Sequence, residues 1–366
     1  MKPTHAAWLT LNGGRRRPQR GFTIVELMVA LVLGLVLVGG FINIFLTSGQ
    51  TMRTNQGLSR IQENARFAVE MLAREIRETG QVPCGSTLSA NVIRDASGGT
   101  PVIPWWASTY SGFVQGYDNT QDTPGIKAFG TNVADRISNT DAILVLRPSS
   151  NEADIQRLAS HDPATTSFTT ATSITAAIRD RYYSRPSLVC DGRSAALLQI
   201  GAASVSLGEF DYGTATLNCS TNLGSANDAC TTTSAKTFAA GSLLTVWDPA
   251  FWYVGHNNRG GRSLYRAGIT VKASTGEVQS DIQEMIPDVQ DMQIDYLTRN
   301  RDAGNVLATD WIPASDPALA TWTSSTAEVV AARITLTLQS PDAVGADGNP
   351  LTRTFVVVAS IRNREL

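Results

Sequence analysis

The hydrophobic pattern of this chain changes character twice. From Phe22 to Leu46 the sequence FTIVELMVALVLGLVLVGGFINIFL is a nearly unbroken apolar block of 25 residues with one charge, Glu26. No proline occurs between Pro18 and Pro83, so the whole interval is predicted to be helical. Past residue 50 the apolar positions become one-sided: Leu58, Ile61, Ala65, Ala68, Leu72 and Ile76 recur at steps of three and four, which lays a single stripe along a helix. Arg60, Glu63, Arg66, Glu70, Arg74, Glu75, Arg77 and Glu78 fall on the other faces. Gly80 and Pro83 stop the pattern. The predicted helix 22–80 therefore has two halves, one able to cross a membrane and one able to pack on a globular body.

After residue 140 the period shortens. Asp141–Arg147 is a continuous apolar run suited to a buried strand, and Leu243–Trp247 and Phe251–Val254 follow it. The latter leads through a Gly- and Asn-rich loop to Ser263–Arg266, which predicts a hairpin. Met292, Ile294 and Tyr296 alternate with polar residues, as do Ile334, Leu336 and Leu338, and Phe355–Ile361 closes the chain as a further strand. Period-two alternation buries one face of an antiparallel sheet, and the amphipathic helix supplies the cover. The predicted class is α+β: a long N-terminal helix, transmembrane then amphipathic, on an antiparallel β-sheet body 81–366 with long loops. Segments 81–140 and 151–240 are polar and rich in Gly, Ser, Thr and Asn, and are expected to be loop-rich insertions. Pro104-Trp105-Trp106 within the first reads as local packing under a loop.

Charge sharpens this division. The net charge is −2, but Lys2, Arg15, Arg16, Arg17 and Arg20 give residues 1–20 five positive charges and no acid. A chain beginning at Phe22 would carry −7, and an acidic body offers no broad basic face for nucleic acid. A secretory signal places its apolar segment before the cleavage site. Here the apolar block follows the basic flank and its Gly21–Phe22 junction, so it would stay with the product as an anchor. Basic residues ahead of the span hold that end in the cytoplasm and direct the body outward. A carboxylate in a membrane span costs roughly 2.5–3.5 kcal/mol at the bilayer centre and less near its edge, so Glu26 calls for a partner.

Chemistry is sparse. The three histidines are His5, His161 and His256, and no H-E-x-x-H, G-x-S-x-G or phosphate-loop motif accompanies them, so no catalytic residue, cofactor or metal site is expected. Asp302–Asn305 and Asp342–Asn349 offer oxygen ligands on tight turns, but both fall short of a calcium loop, and turn chemistry alone accounts for them. Cys84, Cys190, Cys219 and Cys230 allow three pairings in an oxidising compartment. Cys219 and Cys230 flank a short polar loop and are the favoured pair, which leaves Cys84 for Cys190.

The order of basic flank, Gly21, Phe22 and lone Glu26 (G-F-T-x-x-E-L) resembles the processing and assembly signal of the type IV pilin superfamily. The blocks Glu63-Asn64-Ala65-Arg66-Phe67-Ala68, Leu72–Arg77 with Gly80, Phe251–Arg266, Val289–Tyr296 and Ile361-Arg362-Asn363 resemble its PilW-type minor pilins. The resemblance implies a leader 1–21 removed by prepilin peptidase after Gly21, with Phe22 as the N-methylated new terminus. It further implies that Glu26 accepts the ammonium of a neighbouring subunit's Phe22. By the same resemblance, the chain is a single-pass protein of a bacterial inner membrane with its body in the periplasm. It then enters a type IV pilus, at or near the tip, as a minor subunit that initiates or caps assembly. Its implied partners are other minor pilins, the major pilin and the inner-membrane assembly platform. Two alternatives stay open. One is a minor pseudopilin of a type II secretion system. The other is a pilin-anchored adhesin or binding module, which would need a concave polar site in 81–240.

Overall fold

A computed structural model describes residues 21–80, 83–84, 88–95, 100–109, 112–123, 125–204, 208–224, 230–231, 234–272, 275–345 and 347–362. Residues 1–20 of the expected leader 1–21, with His5, and Asn363 lie outside the described residues. Helix α1 (Ile24–Arg77) is followed by β1 (Leu88–Asn91), β2 (Val114–Tyr117), β3 (Ala142–Val145), β4 (Ile155–Asp162), β5 (Ser167–Thr170) and the short helix α2 (Ala176–Tyr182). Then come β6 (Pro186–Cys190), β7 (Ala195–Gln199), β8 (Ala202–Ser204), β9 (Glu209–Asp211), β10 (Leu243–Val246), β11 (Ala250–His256) and β12 (Arg262–Val271). The chain ends with β13 (Val278–Pro287), β14 (Val289–Asn300), β15 (Val306–Leu307), β16 (Ile312–Pro313), β17 (Glu328–Gln339) and β18 (Thr352–Ser360). A long helix and a largely antiparallel β body are the α+β class predicted.

Two compact units divide the chain, residues 1–55 and 56–366. The first comprises the upstream part of α1. Every residue of 22–46 except Gly34 is exposed, and α1 is long and apolar enough to cross a membrane. The helix starts and stops two to three residues inside the predicted 22–80. Thr23 caps its start, and Gly80, at φ +67°, lies in the left-handed region that glycine adopts freely after a helix end.

The second unit contains three sheets. The C-terminal sheet runs β15-β14-β17-β18 with β16 also on β14; the hairpin sheet runs β13-β12-β11-β3-β2; an eight-stranded sheet runs β1-β7-β6-β10-β4-β5-β9-β8. The pairings are antiparallel apart from β1 with β7. Ile61, Ala65, Ala68, Leu72 and Ile76 of α1 are buried against Met292, Ile294, Ile334, Leu336 and Leu338, with Phe355 and Val357 of β18 packed at the margin. Leu58 is only half-buried; Gly57 is the residue buried there, close to Val344 and Ser340.

Alternation explains how the sheets stack. Trp252 and Val254 of β11 face the helix-backed core, while Phe251 and Tyr253 face a second core shared with Leu188, Cys190 and Leu197. Val189, Ala196 and Leu198, which alternate with those last residues, face a third core made with Phe168, Tyr182, Phe210, Tyr212 and Phe238. Strands β3, β6 and β7 are buried at every position, which is why their sequences are mostly apolar, with Ser187 and Gln199 the polar members. One correction follows: residues 151–240, expected to be loop-rich, carry β4 to β9, α2 and most of that third core. Among its described residues, segment 81–140 holds β1, β2 and a 3-10 turn at Trp105–Ala107, and Trp106 is buried, its carbonyl accepting from Trp247 Nε1 at 2.7 Å.

Candidate assembly site

The N-terminal signal residues lie where α1 begins. Gly21 and Phe22 precede the helix, and Phe22 is 84 % exposed. The Glu26 backbone N–H donates to Thr23 Oγ1 at 3.2 Å, and Glu26 lies in the first turn, where a carboxylate is favoured by the helix dipole. A Cβ at Gly21 would meet nothing within 4 Å, and its φ is not in the left-handed region. The fold therefore places no demand for glycine there, and a requirement at this position comes from outside the folded chain. Further along the apolar block, Asn43 Nδ2 donates to the Gly39 carbonyl at 3.1 Å, and the Thr47 hydroxyl donates to that of Asn43 at 2.9 Å. These polar groups are satisfied within the helix itself, which lets them lie in an apolar environment.

At the other end of α1 a charge cluster locks helix to sheet, and here the sequence reading needs a second correction. Glu75, assigned to the polar faces, is only 8 % exposed. Its Oε1 accepts from Arg266 Nε at 2.9 Å and Arg147 Nη2 at 3.2 Å, and its Oε2 accepts from Trp252 Nε1. Arg147 also reaches Glu78 at 3.0 Å and Asp248 at 2.7 Å, and Arg266 reaches Asp248 at 3.0 Å. Trp252 and Arg266 are cross-strand partners in the β11–β12 hairpin. Burial works against the Arg266 charge, but Glu75 and Asp248 more than offset it and raise its pKa. Two separate sequence blocks, Leu72–Arg77 and Phe251–Arg266, thus meet at one set of hydrogen bonds. The available signal was a Glu inside an apolar helix stripe, matched by Trp and Arg on a distant hairpin.

A second polar knot joins the hairpin sheet to the C-terminal sheet. The Asp141 carboxylate accepts from the Asn119 N–H at 2.9 Å and the Ile294 N–H at 2.7 Å. Burial raises its pKa to about 7, against those two hydrogen bonds and with help from Asp118. The Asp118 carboxylate also accepts from Ser315 Oγ. Arg136, fully buried, donates to the carbonyls of Gln121, Thr140 and Tyr117 and so closes the loop that delivers Asp118. Gly116 is required by close approach, because any Cβ there would fall 2.2 Å from the Tyr296 hydroxyl.

The structure joins Cys84 to Cys190 and Cys219 to Cys230, with Cα separations of 5.9 and 5.2 Å. The first bond ties the segment after α1 to β6. Among the described residues no group of three His, Cys, Asp or Glu could hold a metal. At the two Asp-rich turns the carboxylates serve the turn: Asp302 accepts from Ser325 Oγ at 2.7 Å, and Asp347 accepts from the Asn349 N–H at 3.1 Å. Ala346 of the second turn lies outside the described residues. His161 is a core residue: Nδ1 accepts from the Phe238 N–H at 3.1 Å, so Nε2 carries the proton and donates to Tyr212 Oη at 2.9 Å. Burial pulls its pKa down to about 4.

Two comparisons converge on this arrangement. Residues 16–42 match the family described as Prokaryotic N-terminal methylation motif, and residues 251–360 match the family described as Type IV Pilus-assembly protein W. No curated protein and no solved structure matches the chain. The first match spans the junction, Glu26 and the apolar start of α1; the second spans β11 to β18, the strands that α1 packs on or is locked to. Together with the apolar helix and the antiparallel body, the two matches support a type IV pilus-related pilin. Within that superfamily the chain resembles the PilW-type minor pilins, a family of structural and assembly proteins.

Proposed function

We propose that the chain is a minor pilin that primes or caps a type IV pilus, processed between Gly21 and Phe22 and docked through Glu26. The observation that carries this reading is the separation of roles along α1: an apolar half with no buried contacts, and a half locked into the body by Glu75. A free apolar helix face of 25 residues is stable only in lipid or against other such helices. Prepilin peptidase removes the leader, Phe22 is N-methylated, and the Glu26 carboxylate takes the ammonium of a neighbouring Phe22 once both are out of water. A buried carboxylate is tolerable when an opposite charge reaches it. The body lies in the periplasm before assembly, and the subunit then contacts other minor pilins, the major pilin and the inner-membrane platform.

Glu26→Ala is the test. Removing the charge eases insertion, so the variant should reach the membrane at the parent level while pilus number falls several-fold and the chain disappears from sheared pili. Normal pili carrying the variant would refute the docking role. N-terminal sequencing that finds any start other than Phe22 would refute the processing step. Priming and capping separate in cells unable to retract pili, where loss of a primer still leaves few filaments and loss of a cap does not.

One observation favours the display reading as a second function of the body. A cleft of about 420 Å³ lies between the eight-stranded sheet and the β12–β13 turn, lined by Asp95, Trp106, Gln199, Thr216, Leu217 and Glu277. Asp95, Trp106, Gln199, Thr216 and Leu217 come from segment 81–240 and Glu277 from outside it, and this partly polar lining supports that reading. Loss of surface attachment without loss of pili in Glu277→Ala would support it, and unchanged attachment would remove it.

A further inference from the structure

We propose that the cleft beside the β12–β13 turn binds a neutral carbohydrate of one or two rings. The proposal rests on the display reading, whose ligand class it names. At about 420 Å³ the cleft lies at the small end of ligand sites, which run from about 300 to 1,000 Å³. That volume suits a short sugar better than an extended peptide, which is held along a groove or a sheet edge.

The wall groups still lacking a partner define the occupant. Gln199 is engaged at both ends of its amide: Nε2 donates to the Ser184 carbonyl at 2.9 Å, and Oε1 accepts from the Leu217 N–H at 3.0 Å. Thr275 Oγ1 accepts from the Glu277 N–H at 3.4 Å. The Trp106 indole N–H, the Thr216 hydroxyl and the Glu277 carboxylate, by contrast, have no partner among the described residues. Trp106 weighs most, because it is only 5 % exposed. Its neighbours Trp105 and Trp247 give their indole N–H groups to Ser280 Oγ and to the Trp106 carbonyl. A buried indole N–H calls for an acceptor, and Trp106 lines the cleft through which one can arrive.

The same wall excludes other common ligands. Among the described residues lining it are two acids, Asp95 and Glu277, and no Lys, Arg or His. Phosphates, sulfates and acidic sugars are therefore repelled. A simple cation would meet the carboxylates but bring no acceptor to Trp106. A purely apolar molecule would cover the Glu277 carboxylate without pairing it. A sugar hydroxyl both donates and accepts, so one ring can accept from Trp106 and donate to Glu277. Its C–H groups fit the apolar part of the wall at Leu217 and Val278.

The mature chain in a detergent without a sugar headgroup is the material for the test, since a glycoside detergent would compete. Lactose or chitobiose should bind with a dissociation constant of about a millimolar, as so few atoms allow, and should move the Trp106 indole N–H signal in NMR spectra. The tighter of the two points to an animal surface glycan or to a chitin-type polysaccharide as the source. Sialyllactose should bind about ten-fold more weakly than lactose. Trp106→Phe removes the N–H and keeps an aromatic ring, and should weaken the sugar about ten-fold with an unchanged melting temperature. Glu277→Lys, at an exposed position, should keep the fold and reverse the preference toward sialyllactose. Binding of neither neutral sugar, a parent chain that prefers sialyllactose, or parental selectivity in Glu277→Lys would each overturn the proposal. The two readings fail separately. Attachment lost in Glu277→Ala with no sugar bound removes this ligand and leaves display standing; sugar bound with attachment unchanged removes display and leaves the ligand.

Discussion

Two halves of the body are built on different physics. The helix-backed half, α1 with β11 to β18, has long strands apart from the two-residue β15 and β16, and a mainly aliphatic core of Leu, Ile, Val and Ala that also takes in Trp252, Tyr296 and Trp322. The eight-stranded half has strands of three to eight residues around an aromatic core, and disulfides at Cys190 and Cys219. The first lies within or against the pilus-assembly match at 251–360; the strands of the second, β1 and β4 to β10, lie outside both matches. A long amphipathic helix lets periodic strands close over it. Short strands cannot hide enough aliphatic surface, so large rings and covalent ties take over.

The largest expected effect breaks the first half alone. Leu72 is fully buried at the centre of the helix stripe, and Leu72→Asp places a charge there without a partner. Loss of transfer free energy plus the buried charge should exceed about 4 kcal/mol. Limited proteolysis of the mature chain in detergent should open α1 and β14 to β18 first. A variant with parental protease resistance would mean the stripe is not the core of that half.

Next comes the lock. Glu75→Ala leaves Arg147 and Arg266 buried with Asp248 as their main partner, and removing one member of such a cluster costs about 3–5 kcal/mol. Thermal unfolding should fall by several degrees, and Trp252 fluorescence should shift because its indole N–H loses its acceptor. An unchanged melting temperature would show that the cluster is dispensable to the fold.

The same division decides what was legible in the sequence. Each of the seven strands expected from apolar runs or alternation overlaps one of β3, β10, β11, β12, β14, β17 and β18, with Asp141, Leu146, Arg147, Trp247 and Ile361 just beyond the strand ends. Each is long enough, or flanked clearly enough, for periodicity to register. The eight-stranded half was missed because β5, β8 and β9 have three or four residues and its core rings are far apart in sequence, at Phe168, Tyr182, Phe210 and Phe238. One signal was available: Asp191-Gly192 between the apolar runs Pro186–Cys190 and Ala195–Gln199 is a hairpin turn, and Asp191 accepts from the N–H groups of Arg193 and Ser194. In the proposed site, Gly21, Phe22 and Glu26 are visible because their spacing from the apolar block is itself the pattern. Glu75, Asp141 and Arg136 are not, because a charged residue declares itself buried only when its distant partners are known.

A milder change separates the halves through their covalent tie. Replacing Cys84 and Cys190 by serine opens a loop of 106 residues and should cost about 2–4 kcal/mol. Hydrogen exchange should rise in β6, β7 and β10 while α1 and β14 to β18 keep their protection. Equal loosening of both halves would show that the bond stabilises the whole body and not the eight-stranded part.

The smallest expected effect is a divergence with pH, and it sharpens the comparison most. His161, buried with Phe168, Tyr212 and Phe238, has its folded pKa lowered from 6.5 to about 4 by burial. A depressed base contributes stability that is complete above pH 6.5 and is lost as pH falls toward 4, because the unfolded chain takes up the proton first. The aromatic half should therefore weaken by about 1–2 kcal/mol across that window, after allowance for screening at the accessible ring edge. Asp141, in the knot between the hairpin and C-terminal sheets, has the opposite sign. Its folded pKa is raised from 3.8 to about 7, so its contribution is complete below pH 4 and is lost as pH rises to 7. Hydrogen exchange at pH 5 and pH 7.5 should then favour different halves, with protection around Phe168 and Phe238 higher at pH 7.5 and protection at Ile294 higher at pH 5. His161→Gln should flatten the first dependence and Asp141→Asn the second, each without altering the other. A common pH response of both regions in the parent chain would mean that the two cores unfold as one cooperative unit, and the contrast between them would then describe their composition and not their energetics.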